Sequence, residues 1–375
     1  MQYSISDDQS LRDLLRKYDK PGPRYTSYPT APMFNPAFGA EQLINEIAWT
    51  NLPGTSSDLS LYVHFPFCDT LCYFCGCTML VSNNRERIKQ YLEYLKREID
   101  MQAAFLSPRR RVAQMHWGGG TPTHLTPDEI ADIAAYIRAR FYFREDAEVS
   151  VEIDPRALSR EHVAALSDSG FNRASVGVQD FNPAVQKAIN RVQPEEITRH
   201  ATEWCRELGF TSVNMDMIYG LPLQTAQSFD QTLNTLLSFS PDRVAAYNFA
   251  YVPWLKPHQQ LIDAKALPSP EDKLNILLKT VEKMTDAGYE YIGMDHFAKE
   301  TDELAVAQRT HTLHRSFQGY TTKPGCDLYG FGMSAISSLR NVYAQNAKTL
   351  GGYYAALDKG ELPTEAGYRM NNDDH

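Results

Sequence analysis

The sequence predicts an α/β fold, a partial (β/α)6 TIM-like barrel flanked by an irregular N-terminal segment and a C-terminal extension. Three observations carry this expectation. Six short runs rich in apolar, β-branched and aromatic residues recur at 59–65, 112–117, 148–154, 173–179, 212–220 and 243–251. Stretches of helical periodicity separate them near 85–105, 127–141, 159–169, 194–208 and 225–239, with a further one at 270–287. The polar and glycine-rich exceptions fall at the carboxyl ends of the runs, where a parallel barrel gathers its reacting groups.

Taken in order, the runs read as nearly continuous apolar strands, the pattern of a parallel sheet covered on its outer face. In LSLYVHF (59–65), Tyr62 and His64 alternate and so share one face, directed into the barrel. Cysteines follow this strand, and Gly118, Gly119 and Gly120 follow VAQMHW. Glu152 and Asp154 end the third run, Gln179 ends the fourth and Asp216 lies late in the fifth. Two helix starts have local signals: Thr126-Pro127-Asp128-Glu129 supplies a cap, a first-turn proline and acids, and Ser159 precedes Glu161 similarly. Residues 1–52 include GPRYTSYPTAPMFNPAFG, too rich in proline and aromatics for a regular element, and are expected to cover substrate or cofactor. Residues 53–300 form the expected core. Residues 301–375 are expected to be an extension that begins a truncated C-terminal domain.

Composition excludes some classes of function. A net charge of −9 opposes general attraction to nucleic acid or anionic membrane. The one dense basic run, Arg109 to Arg111, reads as a solvated turn between a helix and a strand. No apolar run is long enough to span a bilayer, and the first twenty residues lack the apolar centre of a secretion signal. A cytoplasmic location is expected. Four of the six cysteines fall within ten residues, where disulfides would staple almost nothing, so the cluster points to metal.

Cys68, Cys72 and Cys75 form C-x3-C-x2-C on a loop leaving a strand. Thiolates suit iron–sulfur clusters, and three of them leave one iron of a cubane open to an amino-acid chelate. Structural zinc is the competing reading, with Cys77 as a fourth ligand, although zinc sites usually draw on two separated ligand pairs. Cys205 and Cys326 read as incidental thiols. His296, His311 and His314 lack a compact ligand pattern and read as pocket or structural residues.

CDTLCYFCGC after SLYVHFPF resembles the signature of the radical S-adenosylmethionine superfamily, in its oxygen-independent coproporphyrinogen III oxidase branch. The likeness extends through GPRYTSYPT, HWGGGTPT, VEIDP, SVGVQDF, MDMIYGLP, GMDHFA and HRSFQGYTT. It implies a [4Fe-4S] cluster on Cys68, Cys72 and Cys75 and S-adenosylmethionine, two molecules of it, at Tyr62, Phe74, Gly119, Gly120, Thr121, Glu152, Gln179, Arg191, Asp216, Ala250 and Ile336. Tyr62, His64 and Cys77 are implied close to the chemistry. Tyr251 stands where many relatives carry histidine.

The implied reaction is oxidative decarboxylation of coproporphyrinogen III to protoporphyrinogen IX, in which a 5′-deoxyadenosyl radical begins the conversion of two propionates to vinyls. Arg24 is the leading candidate for a substrate carboxylate, with Arg315 behind it, since guanidinium groups pair well with carboxylates. Bracing of the N-terminal segment is the bland alternative for Arg24. A flavodoxin- or ferredoxin-type electron donor and a monomeric state are expected. A haem-binding chaperone and a radical haem methyltransferase are the alternative functions within the same superfamily.

Overall fold

Each barrel strand has one face under helices and the other in a lumen, and its residues alternate accordingly. The computed structural model describes residues 13, 17, 18, 20, 22, 27–52, 54 and 57–374. Six strands form the barrel: β1 (Leu59–Phe65), β2 (Arg111–Gly119), β3 (Tyr142–Ile153), β4 (Arg173–Gln179), β5 (Ser212–Tyr219) and β6 (Arg243–Asn248). Consecutive members pair in parallel, with helices between them, so the α/β barrel expected from the repeat is the fold observed.

The expectation of nearly continuous apolar strands needs correcting. Leu59, Leu61, Val63 and Phe65 of β1 are fully buried beneath helices, while Ser60, Tyr62 and His64 take the other face. Tyr62 stands in register with His116 of β2, their rings stacked at 6.0 Å. Val149, Val151 and Ile153 of β3 pack outward in the same way, between Ser150 and Glu152. The lumen holds polar side chains, so apolarity is needed on one face only.

Ion pairs close the amino-terminal end of this lumen. Arg173 reaches Glu148 at 3.3 Å and Glu303 at 2.7 Å, and Arg243 reaches Asp302 and Glu303, each at 2.9 Å. The carboxyl-terminal end stays open. Outside the barrel, the Thr126 hydroxyl accepts from the Glu129 amide while the Glu129 carboxylate accepts from the Thr126 amide, the capping box that the sequence announces.

Strands within residues 327–369 join the barrel sheet. After β7 (Tyr289–Gly293) and β8 (His296–Lys299) come a two-stranded hairpin, β9 (His314–Ser316) with β10 (Gly319–Thr321), and four more strands. These are β11 (Asp327–Phe331), β12 (Ile336–Leu339), β13 (Val342–Asn346) and β14 (Thr364–Arg369). β11 pairs in parallel with β1, and the sheet of twelve strands runs β14-β13-β12-β11-β1-β2-β3-β4-β5-β6-β8-β7. The extension thereby covers an edge of β1 that would otherwise leave backbone donors and acceptors unpaired. Helix Ala40–Thr50, from the segment expected to cover the site, packs on these added strands: Glu46 bonds Asn341 at 3.1 Å and Arg369 at 3.0 Å.

Arg110 corrects the solvated-turn reading. Arg109 and Arg111 are exposed, but Arg110 is buried and ion-paired with Asp327 of β11. Its guanidinium also donates to the Ser57 carbonyl at 2.8 Å, the Tyr329 hydroxyl at 3.0 Å and the Thr50 hydroxyl at 3.1 Å. One side chain thus ties helix Ala40–Thr50, the entry to β1 and the added strand together.

Candidate active site

The cysteine loop leaves β1 through Phe67–Cys68, which pairs in parallel with Leu80–Val81 and closes the loop at its base. Two other barrel loops grip it. The Tyr73 amide donates to the Ile189 carbonyl at 3.0 Å, and the Asn190 side-chain amide to the Leu71 carbonyl at 2.7 Å. From the far side, Lys256 donates to the Cys77 carbonyl at 3.0 Å and Gln259 to the Phe74 carbonyl at 3.1 Å. Cys68, Cys72 and Cys75, with Cys77, therefore line one wall of a cavity of about 550 Å³ at the open end of the barrel.

The sulfur atoms sit among donors. Cys72 Sγ faces Arg156 at 3.4 Å and Arg191 at 3.7 Å, and the Thr121 hydroxyl donates to Cys68 Sγ at 3.2 Å. Asp154 aligns both arginines, at 2.6 Å and 3.0 Å. Burial pushes the Cys68 thiol up to about 12, so an ionised sulfur there calls for a positive partner. Cys75 is lowered to about 7, mainly by its hydrogen bond with Cys77.

The opposite wall is built from strand ends. At Gly119, φ is +111°, and a Cβ there would lie 2.6 Å from the His64 ring; one at Gly120 would lie 2.8 Å from the backbone of Pro66. Only glycine lets these two chain segments approach so closely. The Gly119 amide donates to Glu152 at 3.1 Å. A register shift between Gly177 and Gln179, with φ +69° at Gln179, turns the end of β4 so that Gln179 lines the cavity, the common use of a bulge beside a site.

Most of the residues expected at the site converge. Phe74, Gly119, Gly120, Thr121, Glu152, Gln179, Arg191, Asp216 and Ala250 all line the cavity. Tyr62, His64 and Ile336 instead line an adjoining chamber of about 360 Å³ that shares Cys77, Gly119 and Glu152 with it. Arg24 lies outside the described residues. Sequence reasoning passed over Arg156, Lys256 and Gln259. Arg156 follows directly on VEIDP and could have been found there, whereas the other two lie in a loop with no local signal.

Comparison with known proteins agrees with this arrangement. Residues 62–236 match the radical SAM superfamily. The oxygen-independent coproporphyrinogen III oxidase of Synechocystis is 46% identical over 362 residues, covering 96% of this chain and 77% of that protein. Its Escherichia coli counterpart is 47% identical, with 96% and 78% covered. The chain belongs to the oxygen-independent coproporphyrinogen III oxidase family. A solved structure of the Escherichia coli enzyme, described as a radical SAM enzyme, superposes with a TM-score of 0.91 over 96% of this chain and 81% of that one, at 46% identity.

The family's cofactors, a [4Fe-4S] cluster and S-adenosylmethionine, fit the residues present. Three thiols face one cavity, hydrogen-bond donors stand ready for their sulfurs, and the glycine cradle leaves backbone exposed beside them. His64 has a defined state within this family site. Its Nε2 must donate to the Thr78 carbonyl, 2.8 Å away, and in the neutral ring its Nδ1 accepts from the Tyr62 hydroxyl at 3.0 Å. Burial lowers the imidazole pKa, which favours the neutral ring.

Asp216 accepts from the Ser175 hydroxyl at 2.7 Å and from Asn214 at 2.9 Å, yet burial raises its carboxyl to about 6. The folded protein therefore binds a proton that the unfolded chain has released between about pH 4 and 6, and stability falls as pH rises through that window. Asp216→Asn removes the charge, keeps an oxygen to accept from Asn214, and turns its new amide N–H toward the Ser175 hydroxyl, which then accepts instead of donating. Because Asp216 faces the cavity, water offsets part of the cost, and the variant is expected to gain about 1–2 kcal/mol in the cluster-free protein at pH 8. Urea unfolding at pH 8 and pH 5 checks this, with a smaller gain at the lower pH.

Proposed function

We propose that this chain carries out the oxygen-independent oxidative decarboxylation of coproporphyrinogen III to protoporphyrinogen IX, a step of haem biosynthesis. The observation that carries the reading is the convergence of Cys68, Cys72 and Cys75 with the glycine cradle and the strand-end carboxylates on one cavity, in a chain 46–47% identical to the named oxidases. When bound, the cluster supplies an electron and S-adenosylmethionine a carbon radical that takes hydrogen from a propionate.

The chain's own residues bind, orient and exclude. Cys68, Cys72 and Cys75 hold the cluster, and Arg156, Arg191 and Thr121 direct donors at two of its sulfurs, which tunes its potential. Gly119, Gly120 and Thr121 present backbone to the amino-acid end of S-adenosylmethionine. Glu152 and Asp216 offer carboxylates to its cationic groups, and Phe74, Gln179, Arg191 and Ala250 complete that wall. Tyr62, His64 and Ile336 line the second chamber, where a second S-adenosylmethionine fits beside Cys77. The propionate that loses a hydrogen atom, carbon dioxide and one electron becomes a vinyl group. His64, with its Nε2 proton committed to the Thr78 carbonyl, keeps Tyr62 in place. A one-electron donor of the flavodoxin or ferredoxin type serves a monomeric enzyme in this scheme, and Arg24 contributes to substrate binding.

The test is anaerobic reconstitution with iron and sulfide, followed by S-adenosylmethionine, reductant and coproporphyrinogen III. Release of 5′-deoxyadenosine in step with vinyl product is expected. Deoxyadenosine without porphyrin product would sink the substrate assignment. Haem uptake without turnover would indicate a chaperone, and S-adenosylhomocysteine a methyltransferase.

A further inference from the structure

The chambers inside the barrel differ in charge. The cavity beside the cysteines carries Glu152, Asp154 and Asp216 against Arg156, Arg191 and Lys256. The chamber next to Tyr62 and His64 carries Glu152. A third chamber of about 410 Å³ lies against the β9–β10 hairpin and residues 323–326. Its charged lining residues are Arg315 and Lys323, with His314 beside them, and among the described residues no carboxylate lines it. It adjoins the second chamber through Phe317, Gln318 and Leu328, which line both.

We propose that this third chamber holds a carboxylate of the substrate, with Arg315 and Lys323 anchoring a propionate other than the reacting one. The inference rests on the coproporphyrinogen reading above. A molecule with four carboxylates meets repulsion at Glu152 and Asp216, and in a protein of net charge −9 it needs a local cationic end. The third chamber is that end, and it adjoins the chamber lined by Cys77, Gly119 and Glu152. Arg315 lines the chamber with its guanidinium carbon 5.0 Å from the centroid of the Tyr320 ring, and a guanidinium fork suits a carboxylate. Lys323 bonds Asp146 at 2.6 Å, but Asp146 lies outside the lining and is more than half exposed. Such a surface pair is worth little, so Lys323 can turn to a bound carboxylate at small cost. Gln114, whose amide donates to the Thr321 hydroxyl at 2.9 Å, ties the hairpin to β2 and holds the chamber's shape.

The experiment uses the cluster-loaded protein and coproporphyrin III, the oxidised form with the same four carboxylates, followed by porphyrin fluorescence. Arg315→Gln is expected to raise the Kd about tenfold or more, since a hydrogen bond to a charged partner is lost. Lys323→Gln should raise it several-fold, and Arg315→Lys should fall between parent and Arg315→Gln. Iron content and S-adenosylmethionine affinity should not change. The tetramethyl ester, which has no charges, should bind parent and Arg315→Gln alike. An unchanged Kd for both Gln variants would overturn the proposal, as would equal weakening for acid and ester or a parallel loss of iron. If the parent protein binds no coproporphyrin III, the substrate reading itself fails and takes this inference with it.

Discussion

Cys72→Ser protein, reconstituted with iron and sulfide, is expected to retain little cluster and to lose more than about 100-fold in 5′-deoxyadenosine formation. Partners that merely hydrogen-bond to a metal ligand are worth about 10–100-fold, and removing the ligand itself exceeds that. Cys72 is the buried member of the three, and its sulfur is the one that both Arg156 and Arg191 approach. A serine oxygen there is a harder ligand, and it leaves two guanidinium groups without the thiolate they face. Iron and sulfide analysis with visible absorbance supplies the measurement. Cys205→Ser is the control: that thiol is buried in helix Glu195–Glu207, outside the cavity lining, so its replacement should leave the cluster intact. Full cluster content and turnover in Cys72→Ser would remove Cys72 from the ligand set.

Arg110→Met is expected to cost about 3–5 kcal/mol of stability, because it strands a buried carboxylate at Asp327. Side-chain exposure of the two partners is 2% and 7%, so water cannot take over the lost contact. The guanidinium also satisfies Thr50, Ser57 and Tyr329, and a methionine returns none of those bonds. Urea denaturation gives the number. The double variant Arg110→Met, Asp327→Leu should recover much of the loss, since removing both charges costs far less than removing one. Equal destabilisation by the single and double variants would mean that the hydrogen bonds, not the stranded charge, dominate.

Local signals made much of this protein legible before its structure. The helix expected near 85–105 runs over Arg85–Phe105, and the strand expected at 59–65 is Leu59–Phe65. Both follow from periodicity, a property of neighbouring residues. The capping box at Thr126 was equally readable, since four consecutive residues contain it. Arg110 was not: its partner lies more than two hundred residues away, and nothing in RRR distinguishes a solvated arginine from a buried one. The alternation of β1 and β3 was also misjudged, because a polar lumen exists only once six strands close around it.

The amino-acid sequence by itself determined the repeat of strand and helix, the cysteine spacing, the glycine run and the family, because each is written in a contiguous motif. Tertiary structure alone decided that residues 327–369 extend the barrel sheet beside β1, that Arg156 and Arg191 share one sulfur, and that Tyr62 and Ile336 line a different chamber from Asp216. The physical reason is common to all three. Which strand lies beside which, and where a side chain finds its counter-charge, depends on burial and pairing between segments far apart in the chain, and such contacts leave no periodic trace in the residues that make them.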